Sequence, residues 1–584
     1  MFSYLRHILQ TIVYFMRKVI LFIIAISLFG IISAQEFIRV NQIGYYSESS
    51  KTAILANMNA ASFQIRKVNT EEEVYEGKLA AGKFWSQSEE TVQIADFSNF
   101  KTPGKYFIQS GKEKSYPFEI KEQKLFDELS VWSLKAFYLW RASTDIEPQY
   151  ATFRKDNYAR KAGHPDDKVY IHESVASKNR PAGTIVSAPK GWYDAGDYNK
   201  YVVNSGVTVH SLITAYEMFP EYYKKLNLNI PESENNVPDI LNELKWNFDW
   251  LLEMQDPYDG GVYNKLTSKT FMGMDVSPEQ DLTERYMIGK STTAALDFAA
   301  MMAMAARVYK EYEDVFPGFS QKALIAAEKA WSWALKNNNI AFENPPDVNT
   351  GGYGDEAFED EFFWAASELL ITTGNKKYYD ELNFFQKFDT SWWQNVGSLG
   401  LISMQNHLKK LPAFVDKESV TRKFKSLAES VYNQYRFSPN LVPIKKFEWG
   451  SNGIIAMNGV ILGTAYYQLK DEKYLPGMVS TLNYLLGTNP TGYSFVTRFG
   501  SKYPKHIHDR RNGSSKLKEP LPGYLAGGAN PNNVSDCGRA EYPSAAPARC
   551  YIDNVCSYST NEIAINWSAP FSLLVGMVEN AFNK

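Results

Sequence analysis

The pattern of apolar and polar residues divides the chain into two parts. In the first part, short β-rich runs alternate with turn residues, which predicts a small β-sandwich. The predicted strands are residues 37–40, 52–55, 63–68, 91–94, 105–109 and 116–120. These runs carry no candidate catalytic constellation, so we interpret this part as a structural or docking domain.

After Lys121 the apolar residues recur with a period of about 3.6, which predicts helices. Residues 292–306 are apolar or small on nearly every side, as expected of a helix buried all round. The pattern suggests helical hairpins closed into a barrel, with long loops at 143–200 and 488–566 building a site. The predicted helices are residues 124–142, 201–219, 238–254, 291–313, 319–338, 358–374, 376–388, 393–409, 416–436, 453–468, 472–487 and 568–583.

The first 34 residues resemble an export signal. Arg17 and Lys18 precede an apolar run at residues 19–32, small residues follow it, and Met16 would make a more usual start. We expect a secreted or periplasmic protein without stable membrane insertion after cleavage, and an uncleaved anchor is the alternative. The predicted segments are a signal peptide at 1–34, a β-sandwich at 35–121 and a helical domain at 122–584.

Charge and composition narrow the class of partner. The formal net charge of −3 gives no attraction to nucleic acid, and the basic residues form no stripe interleaved with aromatics. Aromatic residues make up 15% of the chain, and flat rings can stack on sugar faces, although any single ring can equally fill a core. We expect a monomer that binds a neutral partner.

The chain has three cysteines, all near the C-terminus: Cys537, Cys550 and Cys556. In an exported protein, one disulfide and one remaining thiol are compatible with this number, and so are three buried thiols. The spacing alone does not choose the pair.

Two aspartates lie about one helical turn apart at residues 191–198 (GWYDAGDY), just before a predicted helix. At this spacing, the carboxylates of Asp194 and Asp197 can face one point. Inverting hydrolysis of a glycosidic bond needs a carboxylate that deprotonates water and a carboxylic acid on the other side of the sugar. The alternative is that both aspartates cap the helix N-terminus.

A single glutamate, Glu562, lies in an otherwise apolar and amide-rich segment at residues 558–567 (YSTNEIAINW). Burial would raise the pKa of this carboxyl, and a carboxyl that stays protonated near neutral pH can serve as a general acid. The alternative is a surface glutamate that caps the following helix.

Together these segments resemble glycoside hydrolase family 9, the inverting cellulases, in the subgroup with an N-terminal immunoglobulin-like domain. The resemblance covers nearly the whole chain after the export signal. It implies a mostly α protein, with an (α/α)6 barrel after the immunoglobulin-like sandwich, that cleaves cellulose-type β-1,4-glucans internally. The matching segments are residues 40–45 (VNQIGY), 181–184 (PAGT) leading into 192–205, 290–293 (KSTT), 351–355 (GGYGD), 360–362 (DEF) and 522–528 (PGYLAGG).

The resemblance also implies the catalytic roles. Asp197 would be the general base, Asp194 would help to hold the attacking water, and Glu562 would donate the proton. Contacts with the β-glucan substrate are implied for five further residues: His508, Arg510, Tyr558, Tyr353 and Trp192.

One position departs from the family's sugar-binding His-His-Arg pattern. Asp509 stands between His508 and Arg510, where the pattern has a second histidine. The fine specificity is therefore open. A loop salt bridge with Asp509 is the alternative reading of His508 and Arg510.

Catalysis of this kind needs no cofactor. Asp360 and Glu361 match a pair near which related enzymes often hold structural Ca²⁺, and their oxygens suit that ion, although helix capping is the alternative. Some relatives hold Zn²⁺ between cysteine and histidine in the loop before the base motif. Here His164 and His172 remain without any cysteine in that loop, so we predict no zinc.

The sequence leaves several functions open. An exo-acting relative, such as a cellobiohydrolase, cellodextrinase or glucosaminidase, is the main alternative, because loops decide whether the cleft is open. Xyloglucan or mixed-linkage glucan is an alternative polymer. A carbohydrate-binding protein with a decayed site is a third reading, against which the intact carboxyl groups argue, and a helical scaffold protein is a fourth.

Overall fold

The structure, a computed structural model, describes residues 37–583. The predicted export signal lies outside these residues. Within them, a β-sandwich is followed by a mostly helical domain, which confirms the predicted fold class. No helix in this part of the chain is both long and apolar enough to cross a bilayer.

The sandwich consists of two sheets that share an apolar core. The core contains Phe63, Ile65, Phe118 and Ile120, which alternate with more exposed residues along their strands, as period-two patterning requires. One sheet has the order Ile38–Arg39, Thr52–Ala56, Glu90–Asp96 and Lys83–Trp85. The other has the order Gly44–Tyr46, Phe118–Lys121, Gly104–Ser110, Ser62–Lys67 and Glu73–Lys78, with Glu113–Lys114 on Gly104–Ser110. Four of these strands were not predicted, because they are short or carry mostly polar residues.

Six buried helices form the inner wall of the helical domain. Each one packs against the next, and the last packs against the first, so that the ring closes as in an (α/α)6 barrel. Every residue of Thr292–Val308 except Arg307 is buried, as predicted for a helix buried all round. In ring order these helices are Val202–Met218, Thr292–Val308, Glu359–Thr373, Gly397–Asn406, Ser451–Leu469 and Ile565–Phe582.

A second layer of helices packs outside this ring. Its longer members are Asp127–Trp140, Asp239–Glu253, Phe319–Lys336, Lys417–Phe437 and Leu475–Asn483. The sixth outer position is occupied by the single turn Lys376–Tyr379, so the helix predicted at 376–388 is wrong beyond that turn. The apolar residues that suggested it, Phe384 and Phe388, pack on Phe363 with ring centroids 5.3 and 4.9 Å apart.

The loops before the first and second inner helices together form β-structure that the sequence did not predict. The main sheet has the order Ile185–Val186, Val169–Ile171, Arg285–Lys290, Tyr263–Thr267 and Lys200–Tyr201. A separate hairpin pairs Thr152–Phe153 with Asp156–Asn157. The sheet ends at Lys200–Tyr201, directly beside the predicted base motif, so it fixes the course of that motif.

The sandwich is fastened to the helical domain by Gln42. Its Nε2 donates a hydrogen bond to the Gly492 carbonyl at 2.8 Å. Its Oε1 accepts hydrogen bonds from the backbone N–H groups of Ser501 and Lys502 at 2.9 and 2.8 Å. The anchored loop leads into residues 506–511, so the sandwich supports a segment that borders the site described below.

The structure selects one of the cysteine pairings that spacing left open. Cys537 and Cys556 form a disulfide with Cα atoms 5.2 Å apart, and Cys550 is a buried thiol. The closed loop contains Asp553, whose carboxylate accepts a hydrogen bond from the His506 N–H at 2.8 Å. The disulfide loop is thereby tied to the segment at 506–511.

Candidate active site

A cavity of about 580 Å³ lies at the N-terminal ends of the inner helices. Tyr201, Gly450 and Ala564 line it, and each stands directly before one of these helices. Asp194, Asp197 and Glu562 line the same cavity. The ring thus brings together the three carboxyl groups that the sequence placed at opposite ends of the domain.

Asp197 faces the cavity with a carboxylate that accepts two hydrogen bonds. Asn199 Nδ2 donates to Asp197 Oδ2 at 2.6 Å, and the Tyr201 hydroxyl donates to the same oxygen at 3.2 Å. The Asn199 amide is oriented by Thr267, whose hydroxyl donates to Asn199 Oδ1 at 2.9 Å. These donors fix the orientation of the Asp197 carboxyl toward the cavity, where a general base would have to stand.

Asp194 is held by two different donors. Its Oδ1 accepts a hydrogen bond from the Asn204 side-chain amide, and its Oδ2 accepts one from the Tyr353 hydroxyl at 2.7 Å. Tyr353 has φ of 52°, a conformation that is strained for a residue with a side chain. Its ring packs edge-on to Tyr201 at 4.8 Å and Trp393 at 5.1 Å, so packing maintains this conformation.

Glu562 follows the single helical turn Tyr558–Asn561 in an extended conformation. Its backbone forms an isolated parallel bridge with His508, and its carbonyl accepts the Gly527 N–H at 2.8 Å. The backbone around the carboxyl is therefore fixed on two sides. The helix that the sequence predicted from 568 begins earlier, at Ile565, directly after this segment.

The three carboxyl groups have unequal electrostatic environments. Burial, followed by the charge of Asp197, raises the pKa of Asp194 to about 8. Burial, followed by the charges of Asp197 and Asp194, holds the pKa of Glu562 well above its ordinary value. Near neutral pH, burial and these charges therefore favour the protonated forms of both Asp194 and Glu562, and Glu562 meets the requirement of a general acid.

His508 and Arg510 both line the cavity, next to the loop at residues 194–197 that carries Asp197, which we call the base loop. His508 Nδ1 lies 2.6 Å from the Val555 carbonyl, so Nδ1 carries the proton and Nε2 is left as an acceptor in the neutral ring. Burial lowers the pKa of His508. Arg510 donates from Nε to the Met272 carbonyl at 2.8 Å and from Nη1 to the Gly196 carbonyl at 2.9 Å, which fixes its guanidinium.

Tyr558 and Tyr353 also line the cavity, together with aromatic residues that the sequence did not single out. Tyr558 is 37% exposed and lies 5.3 Å from the ring of Trp449, at an interplanar angle of 36°. Such exposed rings suit stacking on sugars. The additional aromatic residues of the wall are Trp449, Trp392, Trp393, Trp567 and Phe271, and no local pattern shared by the five separates them from core aromatics.

The predicted substrate contact of Trp192 requires correction. Trp192 is 1% exposed, and it is not among the residues that line the cavity. Its Nε1 donates to Glu243 Oε1 at 2.7 Å, and its ring packs 5.0 Å from that of Phe137. Trp192 therefore packs behind the loop that carries Asp194 and Asp197, because the Glu243 carboxylate satisfies its N–H and Phe137 covers its ring there.

The predicted calcium residues lie outside the cavity. Asp360 Oδ2 accepts the Val396 N–H at 2.6 Å, while burial and then the charges of Asp360 and Asp297 raise the pKa of Glu361 well above its ordinary value. Asp297 is fully buried, and neither of its carboxyl oxygens has a hydrogen-bond partner among the described residues. Within residues 37–583, no three His, Cys, Asp or Glu side chains are arranged to hold a metal ion.

The two histidines considered for zinc lie apart from each other. His164 Nε2 is 3.1 Å from Asp281, and its Nδ1 is 2.8 Å from the Tyr193 hydroxyl. His172 Nε2 is 3.3 Å from Asp347. The absence of zinc stays a prediction.

Comparison with known proteins gives concordant matches. The family model described as Glycosyl hydrolase family 9 matches residues 126–575, and the model described as Cellulase N-terminal ig-like domain matches residues 33–115. The chain is 41% identical to Xyloglucan-specific endo-beta-1,4-glucanase BoGH9A of Bacteroides ovatus, over 95% of this chain and 98% of that protein. It is 32% identical to Endoglucanase D of Acetivibrio thermocellus, over 91% of this chain and 81% of that protein. A solved structure titled Bacteroides ovatus GH9 has a TM-score of 0.86 at 39% identity, covering 94% of this chain and 99% of that one.

The environment of Glu562 predicts a pH-dependent gain in stability for Glu562→Gln. Because the folded-state pKa is raised, the unfolded chain ionises first, and stability is lost as pH rises above about 4.5. Glutamine cannot ionise, so the Tm difference between the variant and the parent protein should widen from about pH 5 to about pH 7.5. Thermal unfolding at several pH values measures this. The exposed Glu418→Gln on an outer helix is the control, and a Tm difference for Glu562→Gln that does not change with pH would contradict the assignment.

Proposed function

The chain belongs to glycosyl hydrolase family 9 and is an endoglucanase-type glycoside hydrolase, and we propose that it cleaves the β-1,4-linked backbone of a β-glucan with inversion at the anomeric carbon. The observation that carries the proposal is the meeting of Asp194, Asp197 and Glu562 in one cavity, where Glu562 keeps its proton near neutral pH. Inversion needs two carboxyl groups on opposite sides of the sugar, one as general acid and one as general base.

In the proposed reaction, Glu562 donates its proton to the oxygen of the glycosidic bond as that oxygen leaves the anomeric carbon. A water molecule attacks the same carbon from the opposite face and gives a proton to Asp197. The β-linkage therefore yields an α-anomeric product. The bond broken is carbon to the leaving oxygen, and the bond formed is carbon to the water oxygen.

Asp194 supports the base in this proposal. Its carboxyl is fixed by Asn204 and Tyr353, so it lies beside Asp197 as a second acceptor for the attacking water. A water held by two oxygen acceptors has its lone pair directed at the anomeric carbon, which supplies orientation as well as proton removal.

We propose xyloglucan, a branched β-1,4-glucan, as the preferred polymer. The relative at 41% identity is named as xyloglucan-specific, which supports this choice. A feature of the cavity supports it as well. Gly352 lies on the wall beside Tyr353, and a Cβ at this position would meet no atom within 4 Å, so the backbone leaves room for a branch next to the catalytic carboxyls.

The proposed roles predict a large loss of activity in Asp197→Ala and in Glu562→Ala. Each variant should lower kcat on tamarind xyloglucan by about 10² to 10⁴, the usual share of general acid–base catalysis. The anomer released by the parent enzyme, followed by proton NMR, should be α, and viscosity should fall early in the reaction. Glu579→Gln replaces a buried glutamate remote from the cavity and serves as the control. Near-normal turnover in either variant, or release of the β-anomer, would overturn the proposal.

Gly352 provides a test of the preferred polymer. Gly352 does not adopt a left-handed conformation, so a larger side chain can be introduced without backbone strain. Gly352→Leu should lower kcat/KM on xyloglucan about tenfold more than on carboxymethyl cellulose, because a few methylenes change pocket binding by this order. Gly352→Ala is the matched control and should stay near the parent ratio. Equal losses on the two polymers would show that no branch lies at this position.

We also propose that a calcium ion is held by the side chains of Asp360 and Glu361, and that its charge also offsets that of the nearby buried Asp297. The support is the absence of hydrogen-bond partners for the Asp297 oxygens within the described residues, together with the burial and then the repulsion from Asp360 and Asp297 that raise the pKa of Glu361. Backbone carbonyls and water would have to supply the remaining oxygen ligands that calcium takes. The ion would serve stability and take no part in the chemical step.

Calcium binding at this group predicts a calcium-dependent Tm. At a free concentration ~100-fold above Kd, a bound ion adds about 2.7 kcal/mol to the free energy of unfolding. The Tm of the parent protein should therefore fall when EDTA replaces calcium, and the difference should shrink in Asp297→Asn. The control is Glu418→Gln, which should keep the full difference. A Tm that is the same in calcium and in EDTA would reject the ion.

A further inference from the structure

A buried ion pair lies behind the loop that carries Asp197. The carboxylate of Asp509 accepts a hydrogen bond from Arg511 Nε at 3.0 Å and a second one from Arg511 Nη2. The two side chains are 0% and 3% exposed, and neither residue lines the cavity. Asp509 therefore does not contact Arg510 as a surface loop pair would, and its carboxylate does not face the substrate.

Arg511 connects this pair to the base loop. Its Nη2 donates to the Ala195 carbonyl at 3.0 Å, and the same carbonyl accepts a hydrogen bond from Trp140 Nε1 at 3.2 Å. The guanidinium also lies 5.4 Å from the ring of Trp140 and 5.6 Å from that of Tyr524. Ala195 is two residues before Asp197, so the position of Arg511 constrains the base.

The neighbouring residue Arg510 holds the next carbonyl of the same loop. Its backbone N–H and its Nη1 both donate to the Gly196 carbonyl, at 3.1 and 2.9 Å. A Cβ on Gly196 would lie 2.1 Å from the His508 carbonyl oxygen, so the two segments are in direct contact. Since His508 also bridges to Glu562, residues 508–511 contact the acid-bearing and base-bearing segments at once.

The charge balance of this region depends on Asp509. Arg511 lies near the partly buried Arg160, and the positive charge of Arg511 disfavours the charged form of the Arg160 guanidinium. The negative charge of the Asp509 carboxylate favours the charged form of the Arg511 guanidinium, against the effect of burial. Asp509 also accepts the Asn512 N–H at 2.8 Å at the start of the turn Arg510–Gly513, which keeps the carboxylate in place.

We propose that Asp509 and Arg511 are positioning residues that hold the base loop, and with it Asp197, at the separation from Glu562 that inversion needs. The proposal rests on the proposed roles of Asp197 and Glu562. It assigns to Asp509 a function behind the site in place of a sugar contact. A buried pair that loses one partner leaves an uncompensated charge, so the loop should move when the pair is broken.

The first test separates kcat from KM in Asp509→Asn and Arg511→Lys. Asparagine removes the charge of the pair, while lysine keeps the charge but cannot bind Asp509 and the Ala195 carbonyl in one planar fork. Both variants should lower kcat on xyloglucan at least about tenfold and change KM less than about twofold, because a shift of the base by about 1 Å is costly. Glu90→Gln, which breaks the buried Arg39–Glu90 pair of the sandwich, is the matched control and should keep kcat.

The second test uses a readout that a loss of stability alone would not change. The substrate is 2,4-dinitrophenyl β-cellotrioside, whose phenolate leaves without needing a proton. Glu562 is therefore not required, and the rate depends on the step in which Asp197 activates water. Sodium azide is the probe, since its nitrogen can bond to the anomeric carbon as the phenolate departs with the electron pair. Azide should accelerate Asp197→Ala, Asp509→Asn and Arg511→Lys, with an α-glycosyl azide as product, and it should leave Glu90→Gln unchanged.

The outcomes distinguish this inference from the proposed function. Normal turnover by Asp197→Ala would remove the base assignment and the inference together. A different result would overturn the positioning role alone. In that case Asp197→Ala would be inactive and would respond to azide, whereas Asp509→Asn would keep a normal kcat and would not respond to azide. If Asp509→Asn fails to fold, Arg511→Lys carries the same comparison, because it retains both buried charges.

Discussion

The confinement of three carboxyl groups in one cavity is the constraint on which the rest of this structure depends. Asp194, Asp197 and Glu562 repel one another when ionised, and burial strengthens the repulsion. The conflict is resolved by unequal surroundings, since Asp197 receives hydrogen bonds from Asn199 and Tyr201 while Glu562 keeps its proton. A symmetric environment would not separate an acid from a base, so the asymmetry of donors is what gives the site its chemistry.

The sequence predicted those parts of the molecule that depend on local pattern. Helix Thr292–Val308 was foreseen because small and apolar residues cover nearly all its faces. Spacing singled out Asp194 and Asp197, and an apolar context singled out Glu562, while the roles proposed for them came from the resemblance to family 9. In each case a short window of residues carries the information.

The parts that the sequence did not predict depend on contacts between distant residues. The spacing of apolar residues at 376–388 predicted a helix, but the chain is not helical beyond Lys376–Tyr379. Phe384 and Phe388 pack on Phe363 from a loop instead. Trp192 belongs to the segment that resembles the family's base motif, yet only the fold shows that its ring packs on Phe137 and does not line the cavity. The choice of Cys537 and Cys556 as the disulfide pair likewise required the three-dimensional course of the loop.

The closure of the inner ring has a consequence for the way this protein is made. Helix Val202–Met218 packs against helix Ile565–Phe582, with Asp197 just before the former and Glu562 just before the latter. A nascent chain that has not yet produced the latter helix holds the proposed base without the proposed acid. Contacts between such distant segments carry the entropic cost of closing a long loop. On the proposed roles, the chain can therefore hydrolyse a glycosidic bond only after the ring has closed.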